Sequence, residues 1–166
     1  MYKVVQEYGE YVYHLAYLYV KNKENAEEIA QDVFYNFGKK QEQFRGDAHI
    51  KTYLTRMTIN RSYDELRKLK RRAILQTVLP FTKQEPSVEK IVVKEAIGNS
   101  VKDAVFALSI AYREVIILYY YEDYTIREIA NLLHTNENTV RTRLRRAKEQ
   151  LKLELGEYME EGLLYD

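Results

Sequence analysis

Cysteine and tryptophan are both missing from the 166 residues, proline occurs twice and glycine six times. Without cysteine there is no disulfide, no thiolate nucleophile and no thiolate metal site, and an intracellular, cytoplasmic setting fits. No apolar run approaches the ~18 residues that span a bilayer, so direct membrane insertion is not expected. The opening Met1-Tyr2-Lys3 leads into mixed polar and apolar residues rather than a signal-peptide pattern. His14, His49 and His134 are scattered, with no H-x-x-x-H spacing and no glycine-rich phosphate loop. Paired Asp and Glu are plentiful, but on helices such pairs are ordinarily solvated charges. No catalytic set, metal-ligand set or cofactor site is therefore expected, and the chain does not read as an enzyme. The two prolines, Pro80 and Pro86, fall close together, which leaves the sequence on either side free to run as helix.

Charge of one sign is also scarce in sum, since the net charge is only +1. The charges are segregated, however. Residues 50–72 hold eight Lys/Arg against two acids, and residues 137–152 hold six against two. The rest of the chain must then be acidic. Two basic patches on an otherwise acidic chain point to two contacts on a polyanion, with acidic surface left for other partners.

The most informative stretch is residues 124–153, YTIREIANLLHTNENTVRTRLRRAKEQLKL. Thr125 to Glu128 reads T-x-x-E, a capping box that satisfies two backbone donors at a helix start. Ile126, Ile129, Ala130 and Leu133 follow at helical spacing as one buried stripe. A turn falls at His134-Thr135-Asn136, and Asn136 is suited to cap a second helix. In that helix Val140, Leu144, Ala147 and Leu151 share one face. Asn138, Arg141, Thr142, Arg145 and Arg146 lie opposite or on the flanks. Arginine can bridge guanine O6 and N7, asparagine can pair with adenine, and both hold phosphates. Most basic helix faces are simply solvated. A capped helix and tight turn before this one make a helix-turn-helix layout, which favours DNA binding.

Along the chain, residues 2–20 carry Val5, Tyr8, Val12, Leu15, Ala16 and Tyr19 at spacings of three and four, and read as an amphipathic helix. Lys21-Asn22-Lys23 breaks it. Residues 24–39 resume a helix with Ala26, Ile29, Ala30, Val33, Phe34 and Phe37 inward. Its outer side carries Glu24, Glu27, Glu28, Gln31 and Asp32, either an ordinary solvated face or a docking surface for a basic partner. Residues 43–49, QFRGDAH, read as a loop in which Asp47 can cap the next helix. Residues 50–72 read as a long helix with Ile50, Tyr53, Leu54, Met57, Tyr63 and Leu66 near its buried side. Its basic end, residues 67–72, either complements the helix dipole or tracks phosphates.

From residue 73 the pattern loosens, and the expected organisation is a domain over 1–73, a linker over 74–87 and a second domain over 88–166. Ser87 can cap a helix through Val88, Ile91, Val92 and Ile97, which Gly98-Asn99 weakens. Residues 101–108 and 111–121 read as helices. The run VIILYYY fits a strand by composition but has helical neighbours and no visible partner strand. The tail 154–166 holds five acids and no Lys or Arg. Its apolar residues are placed to pack on the body or on a partner, and it gives no hint of an appended sensor domain. The expected fold is all-α, two small helical domains joined by a flexible linker.

Three segments carry a family resemblance: LAYLYVKNKENAEEIAQDVFYNF at 15–37, FRGDAHIKTYLTRMTINRSYDELRK at 44–68 and YREVIILYYYEDYTIREIANLLHTNENTVRTRLRRAKEQL at 112–151. In this order, with a proline-containing linker between the last two, the chain resembles the extracytoplasmic-function (group 4) sigma factors of bacterial RNA polymerase over nearly its whole length. The resemblance implies a region 2-like bundle and a region 4-like helix-turn-helix domain, with promoter DNA and core RNA polymerase as partners and an anti-sigma factor as regulator. It implies that Glu27, Glu28, Gln31 and Asp32 face the clamp helices of the polymerase. It places Phe44, Arg45, Gly46, Asp47 and His49 in the element that captures a flipped −10 base, with Asn60 and Asp64 beside that pocket and Arg67 and Lys68 on nearby phosphates. It assigns Asn138, Arg141, Thr142, Arg145 and Arg146 to the −35 element.

Some positions depart from the family pattern. His134 stands where glycine is usual, in a left-handed geometry that histidine adopts at some cost. Thr135 replaces an apolar residue, Tyr53 replaces the commoner tryptophan, and residues 108–111 lack the usual proline. The rival reading is an ordinary helix-turn-helix regulator that binds duplex DNA without polymerase. It leaves the second basic patch and the aromatic-containing loop before it without a role.

Overall fold

A computed structural model describes residues 1–40, 50–78 and 98–156. These residues are helical with no strand, as expected, and the chain divides into two compact units, Met1–Ser87 and Val88–Asp166.

The first unit is a three-helix bundle of α1 (Tyr2–Val20), α2 (Lys23–Lys40) and α3 (Ile50–Val78), each packed on the other two. The break between α1 and α2 is at Lys21, whose φ of 54° is left-handed and whose N–H closes on the Tyr17 carbonyl. Asn22 then accepts from the Asn25 N–H at 2.9 Å, capping α2. Val12, Leu15, Ala16, Tyr19, Ala26, Ile29, Val33 and Phe37 form the core, as their spacing requires. Ala30, Phe34 and Tyr8 are half-buried, and Val5 is exposed. The apolar pattern of α1 thus extends farther towards its first turn than its burial does.

The buried side of α3 corrects the sequence reading. Leu54 is buried, but Ile50, Tyr53, Met57, Tyr63 and Leu66 are only half-buried. The remaining inward positions are Thr55, Thr58, Ile59, Ser62 and Glu65. A mainly polar stripe can face a core where its hydroxyls find partners within the helix, as those of Thr55 and Thr58 do, whereas the buried Ser62 hydroxyl has none among the described residues. Thr55 and Thr58 donate to the Lys51 and Leu54 carbonyls at 2.8 Å each, and the Tyr11 hydroxyl meets Thr55 Oγ1 from α1. The half-buried aromatics rim this stripe, with Tyr63 edge-on to Tyr19 and Tyr53 tilted against Phe37. The helix also runs on to Val78, past the point where the sequence pattern loosens. Residues 73–78 contain no glycine or proline, so nothing in them ends it before Pro80.

The second unit is built on α4 (Gly98–Ala107), α5 (Ile110–Ile116), α6 (Ile126–Leu132) and α7 (Glu137–Leu155), with α4, α5 and α6 all touching α7. The run VIILYYY is helical, but α5 widens into a π turn over Ile117–Tyr121. The Glu122 N–H closes on the Ile117 carbonyl at 3.1 Å, and Asp123 turns the chain with φ 57°. The expected helix from Ser87 to Ile97 and the tail beyond residue 156 lie outside the described residues.

Candidate nucleic-acid interface and acidic face

The helix-turn-helix follows from local chemistry. Thr125 Oγ1 accepts from the Glu128 N–H, and the Glu128 carboxylate accepts from the Thr125 N–H at 2.8 Å, which completes the capping box. The Thr125 backbone N–H and then its hydroxyl hold the Glu128 carboxyl below its usual range, outweighing slight burial. His134 takes up the left-handed turn with φ 52°, as the sequence reading allowed, and the Thr135 N–H closes on the Ala130 carbonyl at 2.9 Å. Asn136 then caps α7 by accepting from the Thr139 N–H at 2.7 Å. Ile129 and Ala130 are buried as expected. Leu132 is buried in place of Leu133, which is half-buried along with Ile126. The α6 helix packs against both α7 and the π turn, so its buried arc is wider than the single stripe its spacing traces. Leu133, the cap residue, has already left helical geometry at ψ 3°.

Val140, Leu144, Ala147 and Leu151 are buried, joined by Leu155. Asn138, Arg141, Thr142, Arg145 and Arg146 are all exposed on the other side. Arg141 is held by Glu137 at 2.9 Å and approached by Asn138 Oδ1 at 3.4 Å, and Arg145 pairs with Glu149 at 2.8 Å. Asn138, Thr142 and Arg146 line a groove with Tyr112, Asn136, Thr139 and Arg143. The face can therefore present cations, amides and hydroxyls to a DNA groove, as residues chosen from helical periodicity should. Arg143 enters the sequence reading only as one of the six Lys/Arg of residues 137–152, which gives it no role. It reaches back at 3.5 Å to Glu114 of α5, whose side chain is only 3% exposed, and so ties α7 to its neighbour.

In the first unit Asn60 and Asp64 are exposed one turn apart, and Arg67 pairs with Asp64 at 2.7 Å. Arg61, Asp64, Arg67, Lys68 and Arg71 line a shallow basic groove. Phe44, Arg45, Gly46, Asp47 and His49, the expected base-capture loop, lie outside the described residues.

The outer face of α2 has Glu24, Glu27, Glu28 and Gln31 exposed, whereas Asp32 is half-buried. The sequence reading missed the reason, Arg61. Its guanidinium bonds Asp32 at 2.6 Å and Glu65 at 3.1 Å, and stands 3.6 Å from Glu28. Lys68 adds a contact to Glu65 at 3.3 Å. Burial pulls the Arg61 guanidinium down, but its hydrogen bonds to Asp32 and Glu65 outweigh that and raise it above its ordinary value. Burial pushes the Glu65 carboxyl up, and the bonds from Arg61 and Lys68 more than reverse it, leaving it below the usual carboxylate range. The signal was available: Arg61 and Glu65 are four apart on α3 and so share a face. The link from Arg61 to Asp32 has no counterpart in sequence spacing.

No group of His, Asp and Glu among the described residues could hold a metal ion, and no helix there is long and apolar enough to cross a membrane.

Comparison with known proteins matches residues 4–72 to the Sigma-70 region 2 family and residues 99–151 to the Sigma-70, region 4 family. RNA polymerase sigma factor SigV of Bacillus subtilis is 28% identical over 91% of the chain and 88% of its own length. ECF RNA polymerase sigma factor SigW of the same organism is 28% identical over 92% and 87%. Among solved structures, the sigma factor RpoE in complex with the anti-sigma factor NepR from Bartonella quintana superposes with a TM-score of 0.72. That match has 22% identity and covers 93% of this chain and 98% of that one. CnrH in complex with the cytosolic domain of CnrY gives a TM-score of 0.61 at 19% identity, covering 92% and 85%. Both share the fold described above.

Proposed function

The chain belongs to the sigma-70 family, in its extracytoplasmic-function branch, and from that premise we propose that it binds core RNA polymerase and directs initiation at promoters with −35 and −10 elements. The observation that carries this reading is the union, in one chain, of an acidic outer helix on a three-helix bundle and a capped helix-turn-helix whose basic side is exposed. Residues 1–73 serve polymerase docking and the −10 element, residues 74–87 connect, and residues 88–166 serve the −35 element. Asn60, Asp64, Arg67 and Lys68 contact the −10 region, joined by Phe44, Arg45, Gly46, Asp47 and His49. Asn138, Arg141, Thr142, Arg145 and Arg146 contact the −35 element. The chain contributes promoter choice and strand opening, in the cytoplasm, and the polymerase performs nucleotidyl transfer. Regulation by an anti-sigma factor is supported by the two solved neighbours, since RpoE was solved with such a factor and CnrH with the cytosolic domain of CnrY.

The test mixes the purified chain with core polymerase and a library of promoter fragments, then sequences the transcripts. Discrete starts sharing spaced −35 and −10 elements, dependent on the chain, are expected. No transcripts together with tight duplex binding by the chain alone would instead identify an ordinary helix-turn-helix regulator.

For docking, the acids differ in what they can offer a basic partner. Asp32 and Glu28 already face Arg61, whereas Glu27 and Gln31 are exposed on the same helix. Glu27→Lys is expected to weaken binding to core polymerase at least several-fold, more at low salt than at high, with unfolding unchanged. Asp32→Lys should weaken binding and lower stability together. Unchanged affinity of Glu27→Lys across salt concentrations would remove α2 from the docking surface.

A further inference from the structure

The arginines on the exposed side of α7 are not equivalent. Arg146 makes no hydrogen bond or ion pair among the described residues. Arg145 is held at one nitrogen, by Glu149 one turn towards the C-terminal end. Arg141 alone is approached at two nitrogens. Nη2 donates to Glu137 Oε2 at 2.9 Å, and Nη1 reaches Asn138 Oδ1 at 3.4 Å. Both partners sit in the first turn of α7, directly after the Asn136 cap that fixes where the helix begins.

We propose that Glu137 is a positioning residue for sequence readout: it sets the plane of the Arg141 guanidinium before DNA arrives. The inference rests on the reading that the exposed side of α7 enters the major groove. A guanidinium is planar and carries five N–H donors. Contacts at two different Nη atoms define that plane and leave three N–H groups, enough to meet the O6 and N7 acceptors of one guanine. An arginine without such contacts must give up rotamer freedom on binding and can settle on a phosphate as easily as on a base. The carboxylate has a second consequence. It partly cancels the charge of Arg141 towards phosphates, so this arginine adds little to affinity that ignores sequence. Glu137 therefore trades general affinity for discrimination at one base pair. A carboxylate in a first helical turn is also favoured by the helix dipole. That role alone would need no contact with Arg141 and would leave base preference untouched.

The experiment uses the full chain bound to core polymerase. It measures affinity for promoter fragments substituted at each −35 position, at several salt concentrations, for wild type, Arg141→Ala, Glu137→Ala and Glu137→Gln. Arg141→Ala is expected to lose about tenfold in discrimination at one base pair. Glu137→Ala should lose several-fold at that same base pair while average affinity holds or rises. Glu137→Gln keeps an acceptor oxygen without the charge, so it should bind all sequences more tightly yet retain most of the discrimination. The double variant Glu137→Ala/Arg141→Ala should match Arg141→Ala alone at that position. Glu137→Ala and Glu137→Gln behaving alike with discrimination intact would overturn the proposal and leave only a charge effect. Loss at a different base pair would also overturn it, because Glu137 would then be reading a base itself. Should Arg141→Ala change no base preference, the premise about Arg141 fails, and that outcome is visible whatever the Glu137 variants do.

Discussion

Arg61→Met should destabilise the first unit by about 2 kcal/mol, because it leaves carboxylates in place while removing the cation they surround. For a unit of this size that is a fall of roughly 8–16 °C in unfolding midpoint. Glu65 dominates the effect, with a side chain only 5% exposed and Lys68 as its remaining cation at 3.3 Å. Asp32 and Glu28, at 43% and 59% exposure, can turn to water and add less. The effect has a pH signature. Glu65 is held below its ordinary value of 4.5 in the folded chain. An acid with a depressed folded pKa stabilises the fold above the unfolded value, and that stability drains away as pH falls through the folded one. The gap between wild type and Arg61→Met should thus be full at pH 7 and narrow below about pH 4.5. Hydrogen exchange in α1, α2 and α3 of the full chain, followed from pH 7 to pH 3.5, reads it directly. A gap that stays constant over this range would mean that the arginine acts through the packing of its aliphatic stem. Replacing both partners, as Arg61→Met/Glu65→Leu, should recover much of the loss, since no nearly buried carboxylate then lacks its cation.

The same cluster marks where sequence reasoning ran short. Helical periodicity located α1 and α2 and the apolar face of α7, because those faces are made of Val, Leu, Ile, Ala and Phe at spacings of three and four. It failed on the inner face of α3, where Thr55, Thr58, Ser62 and Glu65 are buried. Polar residues carry no hydrophobic signal, so apolar spacing does not mark this face, even though Thr55 and Thr58 bond carbonyls one turn back in α3 and Glu65 pairs with Arg61 on the same helix. The exposed side of α7 was legible because caps at Thr125 and Asn136 fix the register of both helices by local chemistry. What that side does not announce is its internal pairing. Glu137 and Arg141 are spaced for contact, yet the added approach of Asn138 to the same guanidinium is a matter of rotamers. Arg143 sits among the other cations of residues 137–152 and is set apart only by Glu114, far away in sequence. Glu24, Glu27 and Glu28 on α2 lie outside as expected, but Asp32 is half-buried against Arg61, and its availability was not legible because Arg61 belongs to another helix.

Leu132→Ala should be strongly damaging, as Ile129→Ala in the same helix should be, and its comparison with Leu133→Ala tests the corrected core of the second unit. Leu132 is 1% exposed, whereas Leu133 is half-buried at the cap. Truncating a fully buried leucine costs about 2–5 kcal/mol, from lost burial and from the cavity left behind. A unit of this size has a stability of only about 4–10 kcal/mol, so the loss consumes a large part of it. Leu133→Ala should cost less than half as much, since its side chain already meets solvent. The functional consequence follows from the division of the chain. Weakening α6 releases α7 from one of the helices that seat it, so dependence on the −35 element should fall with stability. The core of the bundle that carries the acidic helix is untouched, and binding to core polymerase through the first unit should persist. Equal losses from Leu132→Ala and Leu133→Ala would return the buried stripe to the one read from spacing alone. Loss of polymerase binding in Leu132→Ala would show that docking draws on the second unit as well.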